Sequence, residues 1–184
     1  MSARLRFFAF ALTLAACSRP FDSARSDAGE HAIDGPTMAF LSMARARHHE
    51  ANVRDAQGDI PGAIGALEAL IAAPRPADPT VPEVREVLAD TCARIAEFEL
   101  GRNRDTAALA RLDEGLAFAD APTFFRGHLL ELQGIAFEMR ANALADAGQR
   151  ENASAAREQA LDRLRQAVSI QERIVRERTP EAGP

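Results

Sequence analysis

Gly58-Asp59-Ile60-Pro61-Gly62-Ala63-Ile64-Gly65-Ala66-Leu67-Glu68-Ala69-Leu70-Ile71 is the stretch from which the fold is read. Its first four residues end one helix and cap the next, because Gly accepts a left-handed backbone and Pro suits a first helical turn. Its remainder is rich in Ala, the best helix former, with larger apolar residues at three- and four-residue spacing. Two helices therefore meet at Gly58, and the second carries an apolar face.

The same reading extends in both directions. From Thr37 onward the apolar spacing stays helical, and no segment alternates as a strand does. Pro74 to Pro79 is a loop, and Thr80-Val81-Pro82-Glu83 has the form of a capping box. Gly101-Arg102-Asn103-Arg104 makes a turn, Asp120-Ala121-Pro122-Thr123 caps again, and Gly148-Gln149 breaks the chain once more. Six helices are expected, over 37–57, 61–73, 81–101, 104–119, 122–147 and 150–177.

A fixed period runs through them. Gly58, Asn103 and Gly148 stand 45 residues apart, and so do Ala63, Ala108 and Ala153 five residues later. Ala44, Ala89 and Gly134, then Ala51, Ala96 and Ala141, share the spacing on the first helix of each pair; Ile71, Leu116 and Leu161 share it on the second. Small residues recur where two helices approach closely, with larger apolar ones beside them.

These positions resemble the tetratricopeptide repeat (TPR). That family places Gly at the turn, Ala five residues later, a large residue four further on and a small one three beyond. In the third repeat Phe137, Ala141 and Leu144 match its first helix, Gly148 the turn, and Ala153 and Ala160 its second helix. The middle repeat offers Cys92, Ile95, Ala96, Asn103, Ala108 and Leu112. Two departures stand out. Arg47, Glu50 and Arg54 occupy large apolar positions in the first repeat, and the period is 45 rather than 34 residues. The excess is about three turns at 3.6 residues each, so longer helices keep the same faces in contact. The resemblance implies an all-α, right-handed helical-hairpin solenoid of about three antiparallel pairs over 37–178, with a disordered tail at 179–184. Stacked pairs share one core and present a surface lined by the first helices.

The first seventeen residues carry a different signal. Arg4 and Arg6 precede an apolar run over 7–16 that is too short to span a bilayer, which takes about 20 residues. Leu14-Ala15-Ala16-Cys17 resembles a bacterial lipobox, which implies a signal peptide over 1–16 and lipid on Cys17. Residues 17–36 lack apolar periodicity and read as a flexible tether. Ser18, rather than Asp, after the Cys resembles lipoproteins sorted to the outer membrane and facing the periplasm.

Composition excludes several classes. Without residues 1–16 there are 20 basic and 27 acidic residues, a net charge of −7. Nucleic-acid binding needs a basic footprint, and a polybasic membrane patch needs one too. Every basic residue is Arg. Cys92 lies in an apolar helical pattern and reads as core, so no disulfide is expected. His48-His49-Glu50 looks like a metal cluster. Adjacent helical residues point about 100° apart, however, whereas helical metal sites use His at i and i+4. His31 lies in the tether and His128 is distant. No phosphate loop or nucleophile context exists, and acidic pairs such as Asp113-Glu114 read as solvated faces. No enzyme activity, metal or cofactor is expected.

By analogy to the TPR family, a binding groove would be lined by Arg45, His48, Asn52 and Asp55, then Asp90, Ala93, Glu97 and Leu100, then Ile135, Glu138, Asn142 and Ala145. Asn52 and Asn142 are equivalent, and amides can hydrogen-bond an extended peptide backbone. Arg45 can pair with a carboxylate, while Asp90 and Glu97 make the middle acidic and suit a basic or amide-rich segment. The expected function is a lipid-anchored envelope scaffold or adaptor that binds another protein. Lipoproteins resembling this architecture serve as secretin pilotins, barrel-assembly members and adaptors for peptidoglycan enzymes. The alternative is a small accessory subunit that docks through the apolar stripe of helix 150–177, or self-associates there.

Overall fold

Asp34 starts the first helix by accepting a hydrogen bond from the Thr37 N–H at 2.8 Å, one of the donors every helix start leaves open. The computed structural model describes residues 34–76, 78 and 80–178. The expected signal segment, Cys17, the tether up to residue 33 and the tail at 179–184 lie outside the described residues. Six α-helices follow in order: α1 (Gly35–Ala56), α2 (Ile60–Ile71), α3 (Pro82–Gly101), α4 (Asp105–Phe118), α5 (Phe124–Asp146) and α6 (Arg150–Arg178). The protein is all-α, with no strand among the described residues.

Two local details differ from the sequence reading. Gly35 and Pro36 belong to the first turn of α1 rather than to a tether, because Asp34 caps and Pro suits that turn. The capping box at 80–83 does not form. Val81 holds the N-cap position without a side-chain bond. The Thr80 N–H and hydroxyl both donate to Asp78 Oδ1, at 2.8 and 2.6 Å, so the cap residue is spent on a local Asx turn.

The 45-residue period has a geometric counterpart. Gly58, Asn103 and Gly148 have φ of 76°, 58° and 76°, the positive values found among the described residues. Each closes its helix in the same way. Gly58 N–H donates to Asp55 O and Asp59 N–H to Arg54 O; Asn103 donates to Leu100 and Arg104 to Glu99; Gly148 donates to Ala145 and Gln149 to Leu144. This double bond set is a Schellman motif, which satisfies the carbonyls a helix end leaves open. The next helix starts with the same backbone bond each time, Ala63, Ala108 and Ala153 donating to the carbonyls of Asp59, Arg104 and Gln149.

The two helices of a pair run antiparallel. Phe40 and Ala44 share a cluster with Leu70, while Ala51 shares one with Ala63 and Ile64. A Cβ at Gly134 would meet Leu164 at 2.6 Å and the Ala160 carbonyl at 3.3 Å, and one at Gly127 would meet Ile170 at 3.5 Å. Moving back along the first helix thus moves forward along the second. Close approach explains the small residues. At Gly115 a Cβ would stand 2.7 Å from a Leu129 methyl and 2.9 Å from Cys92 Cβ, so only a glycine allows α4 this close to α3 and α5 at that point.

The pairs join through apolar seams. Ile64 and Leu67 of α2 pack with Ile95 and Phe98 of α3. Leu109 and Leu112 of α4 pack with Leu129 and Leu132 of α5. The seam positions change character in α6, where Ser154 and Arg157 stand in place of Ile64/Leu109 and Leu67/Leu112 and are exposed. A corresponding change occurs in α1. Arg47 and Glu50 take the places of Cys92 and Ile95, which α3 buries to 0% and 2% exposure.

Candidate functional site

The residues expected to line a groove sit on one side of α1, α3 and α5, and much of their chemistry is used between helices. Asp55 of α1 accepts from Arg94 of α3 at 3.2 Å. Arg94 also binds Glu97 at 2.8 Å and lies 4.4 Å over the Phe98 ring. Glu97 continues to His128 of α5 at 3.4 Å, and His128 lies 3.8 Å from Glu131 and stacks on Phe124. A chain of alternating charge thus ties the three first helices together. The hydrogen bond to Glu97 raises the His128 pKa above its ordinary 6.5 against the effect of burial. The same bond lowers the Glu97 pKa, helped by Arg94.

His48 is tied differently. Its Nε2 lies 2.9 Å from Thr91 Oγ1, and the fully buried Thr91 hydroxyl donates to Val87 O at 2.7 Å. Thr91 therefore accepts, and His48 carries its proton on Nε2. Burial lowers the His48 pKa, with Arg94 adding to this and Asp90, 3.9 Å from Nδ1, opposing it. His49 is exposed. No group of three His, Cys, Asp or Glu able to hold a metal ion occurs among the described residues.

The remaining expected residues divide by exposure. Arg45, Asn52, Glu138 and Asn142 are exposed, Ile135 is 39% exposed, and Asp90 and Ala145 are intermediate. Arg45, His48 and Asn52, with Ser42 and His49, border an open depression of 590 Å³ on α1. Ala93 and Leu100 are buried, at 2% and 9%, and Leu100 belongs to the core of the second and third pairs. Those two positions turn inward because their helix is covered on two sides, so neither contributes a surface contact. The linking residues Arg94, Thr91 and His128 were not singled out for this surface from the sequence. The i, i+3 pairing of Arg94 with Glu97 was the available signal.

Cys92 is fully buried, and burial pushes its thiol up to about 12, which keeps it protonated and unreactive. Among the described residues no helix is long and apolar enough to cross a membrane. No family model, curated protein or solved structure matches the chain.

Proposed function

We propose that this chain is a TPR-like, right-handed helical-repeat scaffold that binds another protein through the exposed side of α1, α3 and α5. In this reading lipid on Cys17 holds it in a bacterial envelope, at an outer membrane and facing the periplasm. The observation that carries the binding surface is the recurrence of exposed hydrogen-bonding side chains at equivalent first-helix positions. Asn52 and Asn142 lie 90 residues apart, two periods, and both are exposed beside Arg45 and Glu138. Second-helix positions with the same spacing, Ala63, Ala108 and Ala153, are buried. Such a division favours a frame with one presenting side. The ties through Arg94 and His128 stiffen that side, so less ordering is required on binding.

The experiment is crosslinking of the full-length protein in its native envelope, with Cys17→Ser and Asn52→Ala/Asn142→Ala beside the wild type. A stoichiometric partner, lost in the double variant and depleted without the anchor, is the expected result. Capture unchanged in both variants overturns the reading. A second reading, an accessory subunit docked through α6, is favoured by the exposure of Leu161, Val168 and Val175. It places the crosslinks on α6 instead.

A further inference from the structure

Leu161, Val168 and Val175 are 51%, 50% and 64% exposed and stand seven residues apart on α6. That spacing keeps them in one stripe that drifts only about 20° per step. The stripe extends about 21 Å along the helix at 1.5 Å per residue. It is not simply a seam awaiting another helix pair. Leu161 is the last position with an equivalent in α2, at Ile71, and Val168 and Val175 lie beyond it. Upstream, Ser154 and Arg157 have replaced the seam leucines and isoleucine.

The stripe cannot find its complement on the other end of the same fold. The outer side of α1 carries Arg47, Glu50 and Arg54, joined by ion pairs of 2.9 Å. Head-to-tail addition of copies would bury those charges against apolar side chains. A face that meets itself across a two-fold axis avoids this. The charges along the stripe fit that arrangement. Arg165 and Glu172 share its solvent-side edge, three residues before and four after Val168, and no hydrogen bond or ion pair among the described residues engages either. In an antiparallel register centred on Val168, Val168 meets its own copy and Leu161 meets Val175 of the second copy. Arg165 then meets Glu172 of the second copy, twice. A parallel two-fold pairing carries the two Arg165–Glu172 edges to opposite sides of the seam, so neither residue meets its opposite charge there.

We propose that this chain forms an antiparallel two-fold dimer through the Leu161–Val168–Val175 face of α6. The occupant of the stripe is a second copy, not another protein. The inference uses none of the first-helix residues, so its failure leaves the proposed partner surface intact.

Sedimentation equilibrium of the full chain tests it. A monomer–dimer equilibrium is expected. Val168→Glu, which sets two carboxylates on the axis, should weaken it by about a hundredfold, and Arg165→Glu by about tenfold. Arg165→Glu combined with Glu172→Arg should restore it. Val168→Cys should give a copy-to-copy disulfide on mild oxidation in a Cys17→Ser background, since Cys92 is buried. All these positions are exposed, so circular dichroism should be unchanged. A chain that stays monomeric, a dimer indifferent to Val168→Glu, or a charge swap that fails to restore it overturns the proposal. So does capture of a different protein on α6 by a monomeric chain.

Discussion

The middle helix pair and the two outer pairs use the same positions for different purposes. α3 buries eleven of its 20 residues, whereas α1 buries four of its 22. Both are fully formed helices. What separates them is cover: α3 packs against α1, α2, α4 and α5, while α1 packs against α2 and α3. Helix formation in such a chain needs one apolar face and good propensity, and tertiary packing decides how wide that face becomes. Ala44 and Ala51 anchor α1 on its partner, and the Arg47, Glu50, Arg54 and Asp59 ion pairs clothe its other side. At the opposite end the buried residues of α6, among those described, are Ala153, Ala156, Ala160 and Ala167.

The sharpest way to break this comparison is to exchange residues between equivalent seam positions. Leu112 is completely buried between α4 and α5, whereas its equivalent 45 residues on is the exposed Arg157. Leu112→Ala should cost about 3 kcal/mol through lost transfer energy and a cavity. Leu112→Arg should exceed about 4 kcal/mol, because a charge is buried with no partner. Arg157→Leu should change stability by less than about 0.5 kcal/mol. Urea unfolding of the three variants measures all of this. If Arg157→Leu proves as costly as Leu112→Ala, then α6 is covered and the outer pair is not an end.

The sequence made the helices legible and left their joints obscure. Turn chemistry at Gly58, Asn103 and Gly148 located three helix ends to within a residue, because a left-handed C′ position can be read from residue type. The spacing of Ala51, Ala96 and Ala141 marked true contact points for the same reason, since only small side chains allow close approach. What periodicity cannot reveal is which face of a helix is covered twice. Leu100 and Ala93 therefore read as surface yet lie in the core, and Leu161 matched Ile71 and Leu116 in spacing but is exposed. The charge chain from Asp55 to Glu131 was equally hidden. Its members lie 39 residues apart where it crosses at Asp55–Arg94 and 31 apart where it crosses at Glu97–His128, and only packing brings them within reach.

The turns sharpen the comparison on a smaller scale. The outer pairs close with Gly58 and Gly148, but the middle pair closes with Asn103 at φ 58°. A residue with a Cβ pays roughly 1 kcal/mol for that conformation, and Asn less than most. Asn103→Gly should therefore stabilise the protein by about 0.5 to 1 kcal/mol, whereas Gly58→Ala and Gly148→Ala should each lose about 1 kcal/mol. Differential scanning calorimetry reads both signs. Loss of stability in Asn103→Gly would mean that the Asn side chain supports its turn beyond the backbone pattern the three share.

The smallest expected effect distinguishes the two joints of the middle pair by pH. His48 joins the first pair to the middle one as a neutral donor to Thr91, and its pKa is lowered from 6.5 chiefly by burial. Below the ordinary histidine pKa the unfolded chain takes up this proton more readily than the folded one. Stability from the first joint is therefore present above about pH 6.5 and is lost as pH falls through the lowered value. His128 joins the middle pair to the last as a cation facing Glu97, Glu131 and, more remotely, Asp90, and its pKa is raised chiefly by Glu97. Its contribution is complete below the ordinary value and is lost as pH rises through the raised one. Glu97 stays ionised throughout this range because its own pKa is lowered. Both imidazoles are partly solvated, so each effect should amount to a few tenths of a kcal/mol. Measured by urea unfolding between about pH 5 and 8, the deficit of His128→Gln relative to wild type should shrink as pH rises. That of His48→Gln should shrink as pH falls. Deficits that move in the same direction would mean that one charge network spans both joints.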